Sequence, residues 1–251
     1  MSRKLFAALA VVLLVALPAA AQTADDIVNK NMQAMGGVDK LKAVKSVRMT
    51  GTMTVGPGME APVTLEMKRP NMMRIDISLQ GMTGTQAYDG TSGWSLMPFG
   101  GSKAPQPMSA DDAKIAAEQA DMDGPLMDYK AKGHTVELLG KEAVEGADTY
   151  KLKLTKKDGD VTIYYIDAEH FLVIKQEAKR TLRGTEVESE TIVGDYKEVD
   201  GMMMAHSIDA GVKGQPMRQK LTLSAIEVNV PIDDARFKMP AAKPAEAPKQ
   251  D

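Results

Sequence analysis

Three consecutive methionines followed closely by a histidine are the residues of this sequence whose types best suit metal chemistry. Met202, Met203 and Met204 stand just before His206, and thioethers and imidazoles are ligands that copper(I) accepts. On an extended strand, side chains that share a face are separated by about 6.6 Å per step. Met202, Met204 and His206 are therefore too far apart to converge on one ion. The pattern favours an apolar wall, and we predict no metal site.

The sequence carries no motif typical of an enzyme active site. It lacks a nucleophile elbow, a glycine-rich phosphate loop and a zinc-binding HExxH helix. Its histidines are isolated in the sequence, and its paired aspartates stand where helices are expected to begin, where carboxylates favour the helix dipole. These residues are His134, His170 and His206, and the pairs Asp25-Asp26, Asp111-Asp112 and Asp233-Asp234. We predict a protein that is not an enzyme, with no catalytic residue and no cofactor.

The first 21 residues are typical of a secretory signal peptide. A basic segment ends at Lys4, an apolar run covers residues 5–17, and the small residues 19–21 suit signal peptidase. The run is too short for a membrane span. We expect cleavage before Gln22 and export to the periplasm. The chain has no cysteine, which excludes disulfides, thiolate metal sites and the lipid-modified cysteine of bacterial lipoproteins.

The mature chain is weakly acidic and rich in methionine. Without Arg3 and Lys4 it has 29 basic residues (31 less these two) against 34 acidic ones, a net charge of −5 with histidine neutral. That balance argues against a nucleic-acid partner. Methionine occurs 19 times, against 4 Phe, 1 Trp and 6 Tyr. Flexible thioethers suit an apolar surface that adapts to its ligand, although they also fill ordinary cores.

Helical and strand-like segments indicate one mainly β domain. Helices are predicted from the Thr23 cap to Gly36, over residues 38–44 and over 110–120, with a further turn at 125–129. The alternation of apolar and polar residues predicts strands at 47–55, 63–68, 73–79, 85–88, 135–139, 149–155, 161–167, 172–180, 186–198, 202–208 and 217–228. Short strands at this spacing indicate an antiparallel sheet, whose concave side the helices cover. We expect a single domain over residues 22–239, a soluble monomer that does not span a membrane, and a disordered Pro/Ala-rich tail over 240–251.

The hairpin that contains the methionines has two possible registers. A two-residue turn at Asp200-Gly201 pairs Val199 with Met202 and mixes charged and apolar residues on both faces. A three-residue turn over 199–201 gives one coherent apolar face, which should be preferred. We therefore predict the three-residue turn. Its apolar face comprises Ile192, Tyr196, Met202, Met204, His206 and Ile208, and its polar face comprises Asp195, Lys197, Met203, Ser207 and Asp209.

Six stretches of sequence, taken in order, carry a resemblance to a known family. They are ADDIVNKNMQAMGGVDKLKAVKSVRMTGTM, KRPNMMRIDI, AYDGTSGW, YYIDAEHFLVIKQE, GDYKEVDGMMMAHSI and IEVNVPIDDARFKMP. Together they resemble the LolA/LolB-like superfamily of periplasmic lipoprotein carriers, especially outer-membrane lipoprotein-sorting proteins. The resemblance implies an open antiparallel half-barrel with helices in its mouth, an apolar cavity for acyl chains and no catalytic residues. It also implies a sheet arginine that holds the lid helices closed, a role left open among Arg48, Arg69 and Arg74.

The strand patterns and the resemblance together predict an apolar lipid-binding surface. Its predicted residues are Met32, Met35, Tyr88, Trp94, Leu152, Leu154, Ile192, Tyr196, Met202, Met204, Ile208, Leu221 and Leu223. Withdrawing a chain of about 16 methylenes from water gains roughly 13 kcal/mol, and a pliable methionine-lined cavity suits a cargo that must also be released. The expected partners are lipoprotein acyl chains or lipid, together with inner- and outer-membrane transport components. An envelope-stress or assembly module of the same fold that binds a protein partner, and a periplasmic copper carrier, are the alternatives.

Overall fold

The predicted first helix and its cap are present in the structure, a computed structural model that describes residues 22–182 and 185–241. Helix α1 (Ala24–Ala34) begins at Thr23, whose side chain accepts from the Asp26 amide while the Asp26 carboxylate accepts from the Thr23 amide. This reciprocal capping satisfies two amides that lack partners within the helix. The predicted signal peptide and most of the predicted tail lie outside the described residues.

Within the described residues, thirteen antiparallel strands form one continuous sheet that does not close into a barrel, so the predicted half-barrel class is confirmed. The same part of the chain contains two further helices and two short 3-10 turns. No helix among the described residues is long and apolar enough to cross a membrane. The elements, after α1, are α2 (Val38–Ala43), β1 (Ser46–Gly56), β2 (Met59–Lys68), β3 (Met72–Leu79), β4 (Met82–Tyr88), β5 (Gly93–Leu96), a 3-10 turn (Pro98–Gly100), β6 (Gln106–Pro107), α3 (Ala110–Ala120), β7 (Thr135–Val144), β8 (Ala147–Thr155), β9 (Val161–Asp167), β10 (Val173–Leu182), β11 (Thr185–Val199), β12 (Met202–Val212), β13 (Arg218–Val228) and a 3-10 turn (Asp234–Arg236).

The strand order shows how the chain builds the sheet from its centre. The order is β6-β5-β4-β3-β2-β1-β13-β12-β11-β10-β9-β8-β7. The chain therefore starts at the central strand β1 and runs by hairpins to one edge. Helix α3 and the turns after it, residues 121–134, then carry the chain to the opposite edge, and hairpins bring it back to the centre. This connection must cross a face of the sheet, which places α3 over that face.

Strand prediction succeeded where alternation was clear and failed where the strand was short. The patterns located eleven of the thirteen strands, most of them to within a few residues, but they missed β5 and β6. The predicted helical turn at residues 125–129 is a series of hydrogen-bonded turns instead of a helix. Four-residue β5 and two-residue β6 contain too few alternating positions for a period to be read from them.

Three apolar clusters fill the space between the helices and the face they cover, which we call the inner face. Helix α1 packs through Ile27, Val28 and Met32 on strands β7 to β10. Helix α3 packs through Ala116 and Ala120 on strands β3 and β4. The α2 segment packs on the central strands around Val44, Val47 and Met202. Leu41 and Val44 both face this third cluster.

Candidate functional site

The methionine hairpin has the two-residue turn, so the predicted register is wrong. Val199 pairs with Met202 and Tyr196 pairs with Ala205, with the same register along the whole hairpin. The turn residues Asp200 and Gly201 both have positive φ, 49° and 71°. Such a turn matches the natural twist of two antiparallel strands, and Asp-Gly is well suited to it. This local backbone preference outweighs the more coherent apolar face of the other register.

The corrected register moves the β11 side chains to the other face but leaves the β12 methionines in place. Met202 and Met204 lie together in the inner-face cluster of α2, because alternation along β12 alone decides which residues accompany Met202. Ile192 now pairs with Asp209, on the outer face. Tyr196 lies on that face as well, and its hydroxyl donates to the Val173 carbonyl over 2.7 Å.

His206 has a structural partner in its own strand. The imidazole is buried, and its Nδ1 lies 2.9 Å from the Met204 carbonyl oxygen. Because a carbonyl can only accept, this contact requires the tautomer with the proton on Nδ1. Met202 and Met204 meanwhile pack among apolar side chains of the α2 cluster. The strand therefore uses these residues for packing and for one hydrogen bond.

A continuous apolar surface covers the inner face of the central strands, and we call it the apolar floor. It joins strands β1, β2, β3, β12 and β13, and most of its side chains are only partly buried. The floor comprises Met49, Met53, Val63, Leu65, Ile75, Ile77, Ile208, Leu221, Leu223 and Ile226. Of the predicted lipid-binding residues, Ile208, Leu221 and Leu223 belong to it. Partly exposed apolar side chains on a concave face provide contact area for an apolar ligand.

A cavity of about 690 Å³ lies beside the floor, between α3 and strands β9 to β11. Its volume falls in the range of roughly 300–1,000 Å³ that small-molecule sites occupy. Helix α3 contributes one wall and strands β9 to β11 contribute another, with loop residues between them. The lining residues are Lys114, Ile115, Ala117, Glu118 and Gln119 from α3, Thr162, Tyr164, Gln176, Ala178, Arg180, Ser189 and Thr191 from the sheet, and Asn71, Asp121, Pro125, His134, Lys156, Lys157 and Asp158 from the loops.

The lining of this cavity differs from the predicted one. None of the thirteen predicted lipid-binding residues lines the cavity. Charged side chains surround the cavity, among them Lys114, Glu118 and Arg180. Sequence alternation could not identify Thr162, Gln176 or Ser189, because polar residues on an inner face resemble solvent-exposed ones. The helical spacing of Ile115 within α3 was the available signal.

Four of the predicted lipid-binding residues pack in the core beneath α1. Leu152 and Leu154 are fully buried, and Met32 and Met35 of the α1 segment pack against the same cluster. Tyr88 lies under α3 beside Met73. These side chains hold the helices on the sheet and leave little surface for a ligand. Alternation correctly predicts that they face inward but cannot say whether a helix or a ligand covers them.

Trp94 lies on the outer face, so its predicted place in the cavity is wrong. Its indole Nε1 donates to the Phe237 carbonyl over 2.8 Å, and both residues are buried. Nearby, the buried Glu66 carboxylate accepts from Arg236 over 2.6 Å and from Arg48 over 2.9 Å. The C-terminal segment therefore closes over the outer face through hydrogen bonds and ion pairs, which include these contacts and an ion pair between Lys68 and Asp234.

Ion pairs hold α3 against the turn between β8 and β9. Lys114 lies 2.9 Å from Asp158 and 3.1 Å from Asp160, and Glu118 lies 2.8 Å from Lys156. The hydrogen bond from Lys114 holds the pKa of Asp158 below its usual value. Oxygens of Glu118, Asp158 and Asp160 also lie within 4.8 Å of one another. The adjacent lysines neutralise this group of carboxylates.

A second contact joins the segment after α3 to the opposite half of the sheet. Arg69, at the end of β2, donates to the carbonyls of Leu41 and Val44 and forms an ion pair of 2.5 Å with Asp123. Asn71 adds a hydrogen bond of 3.2 Å to the Ala117 carbonyl. Of the three arginines left open by the sequence, Arg69 is the one that contacts the cover of the cavity. We call the Arg69–Asp123 pair the latch.

An open antiparallel sheet with helices over one face, and a cavity between them, define the architecture of this protein. Solved structures with this fold include a LolA superfamily protein from Nitrosomonas europaea, with a TM-score of 0.57 and 16% identity over 87% of this chain and 98% of that one. An outer membrane lipoprotein-sorting protein domain from Vibrio parahaemolyticus gives 0.57 and 13%, over 84% and 94%. A DUF1329 family protein from Desulfovibrio piger gives 0.53 and 13%, over 86% and 97%.

These similarities establish that the chain has the LolA-type fold. Neither a protein-family model nor a curated protein sequence matches the chain. The resemblance inferred from the sequence is confirmed at the level of the fold.

Proposed function

We propose that the protein is an exported, non-enzymatic carrier that holds an acyl chain of a lipoprotein or lipid between α3 and the inner face. The observation that carries the proposal is the cavity of about 690 Å³ beside the apolar floor. Its expected partners are the cargo and the inner- and outer-membrane components that deliver and receive it. Similarity to a lipoprotein-sorting domain supports this assignment.

The site suits an elongated apolar chain that carries a polar end. Burying methylenes on the apolar floor gains about 0.8 kcal/mol for each CH₂. The charged and polar side chains around the cavity, among them Arg180 and Gln176, can hydrogen-bond the polar end of such a molecule. A purely apolar cargo would leave these groups without partners, at a cost of about 1–3 kcal/mol each. We therefore expect an amphiphile to bind better than a hydrocarbon of the same length.

The first experiment extracts the purified protein with organic solvent and identifies any released lipid by mass spectrometry. We expect stoichiometric lipid, or uptake of a fluorescent fatty acid by protein that has been stripped of lipid. A protein that neither contains nor takes up an acyl chain would contradict the carrier function.

A matched pair of variants tests the location of the site. Ala178 lines the cavity on β10, and Lys179 is the next residue on the same strand and faces the other side. We expect Ala178→Trp to fill the cavity and to reduce fatty-acid uptake strongly, while Lys179→Trp retains it. Equal uptake by both variants would place the ligand elsewhere.

A further inference from the structure

Exposed apolar side chains are concentrated along one rim of the sheet. Antiparallel strands joined by hairpins turn at the same rim, so the β1–β2, β3–β4, β5–β6 and β12–β13 connections are neighbours along it. Six large apolar side chains at these connections are exposed: Val55, Met59, Met82, Phe99, Val212 and Met217. Among the exposed large apolar residues of the described chain, Leu139 on β7 and Met239 lie elsewhere.

The most exposed of these residues shows that the rim is not simply a part of the core. The Met217 side chain is 76% exposed, next to a turn where a polar residue would cost nothing in packing. Loop tips of an exported protein are ordinarily polar, since exposed apolar groups gain nothing from water. A line of such groups on successive tips is typical of an interaction surface.

The charge of the four connections that carry the exposed apolar side chains complements an anionic surface. The segments 55–59, 79–82, 97–105 and 212–217 contain Lys103 and Lys213 but no aspartate or glutamate, although the whole chain has a formal net charge of −3. Lys213 also lies 3.0 Å from Glu177, outside these segments. Lysine near inserted apolar side chains favours anionic lipid over a neutral surface.

We propose that this rim inserts its apolar tips into the surface of a bilayer that contains anionic phospholipid. The tips stand on separate hairpins, so they can enter between headgroups without the flat complementary face that a protein partner requires. The β8–β9 turn lies on the same rim, and its two carboxylates, Asp158 and Asp160, are paired with Lys114. Lys156, Lys157 and Asp158 of this turn line the cavity. Docking by this rim therefore brings the cavity to the membrane surface.

Binding to vesicles of phosphatidylethanolamine and phosphatidylglycerol tests the proposal without any cargo, so its failure leaves the carrier function intact. The protein is expressed with its own leader and purified before sedimentation with the vesicles. We expect the double variant Met59→Ser with Met217→Ser to bind at least about tenfold more weakly, which corresponds to roughly 1.4 kcal/mol. Both residues lie at exposed hairpin ends, so the thermal unfolding of the variant should be unchanged.

The matched control is Leu139→Ser, because Leu139 is 49% exposed but lies on edge strand β7, away from the rim. We expect this variant to bind as the wild type does. Absence of vesicle binding by the wild type, or an equal loss in the Leu139 variant, would overturn the proposal. Equally strong binding to phosphatidylcholine vesicles would contradict the contribution of Lys103 and Lys213.

Discussion

Arg69 and Asp123 form an ion pair of 2.5 Å that joins the end of β2 to the segment following α3. The same guanidinium donates to the carbonyls of Leu41 and Val44, so three parts of the chain meet at one side chain. Both partners of the pair are about a quarter exposed. Since α3 also covers the cavity, the latch connects the stability of the cover to a single arginine.

Removal of the latch arginine should loosen the cover of the cavity. Arg69→Ala removes the ion pair and both carbonyl contacts, and we expect a loss of about 2 kcal/mol in the free energy of unfolding. Relative to the wild type, amide hydrogen exchange should accelerate more in α3 than in α1. Arg69→Lys is the matched control, because it keeps the charge but cannot form the planar fork. Unchanged exchange in α3 of the alanine variant would show that the latch does not hold the cover.

Acid should weaken the attachment of α3 at both of its ends. The hydrogen bond from Arg69 lowers the pKa of Asp123, and the hydrogen bond from Lys114 lowers the pKa of Asp158, each from an ordinary value of 3.8. Each carboxylate therefore contributes stability that is fully present above pH 3.8 and is lost as the pH falls through its lowered folded pKa.

The pH dependence is measured by thermal unfolding from about pH 6 to about pH 3. We expect the melting temperature to be flat at the upper end and to fall steeply at the lower end. The double variant Asp123→Asn with Asp158→Asn should have a lower melting temperature at about pH 6, and its melting temperature should depend less on pH. An acid dependence as steep as that of the wild type would assign the effect to other carboxylates.

Neighbouring lysine substitutions on β12 should have different effects because they occupy different faces. Met204→Lys places an ammonium in the inner-face cluster, directly opposite Lys197, where like charges repel. We expect reduced lipid uptake and a loss of stability of about 1–3 kcal/mol. Met203→Lys faces Glu198 instead, and its effect should lie within about 0.5 kcal/mol. Lipid uptake and thermal unfolding of the two variants, measured side by side, test this prediction. A loss of uptake and stability confined to the Met203→Lys variant would mean that the two faces are assigned the wrong way round.

Substitution of a packed core residue should lower stability, whereas substitution of a floor residue should weaken ligand binding. Leu154→Ala leaves a hole beneath α1, where the native side chain is fully buried, and should cost about 2–5 kcal/mol. The remaining folded protein should bind fatty acid with unchanged affinity. Ile208→Ala on the partly exposed floor should cost less stability and weaken binding. Titration with a fluorescent fatty acid below the melting temperature distinguishes the two variants. Weaker fatty-acid binding by the Leu154→Ala variant would mean that the space under α1 accepts cargo.

Local sequence patterns are sufficient to predict those elements whose causes lie within a few residues. The side chains of Thr23 and Ser109 predict the starts of α1 and α3, because a cap needs only its own helix. Alternation predicts that Leu152 and Leu154 face inward, because side chains on a strand point to opposite faces in turn. The same rule places Met202 and Met204 together on β12, whichever register the hairpin adopts.

What each inward face contacts depends on the folding of the whole chain. Leu152 faces α1 while Ile208 lies on the partly exposed floor, although both are apolar residues on alternating strands. The difference arises from which strands α1 covers, and that depends on contacts far apart in sequence. Likewise, Arg69 reaches Asp123 across 54 residues of chain. Local patterns carry no information about such pairs, because they form only when the two halves of the sheet curve towards each other.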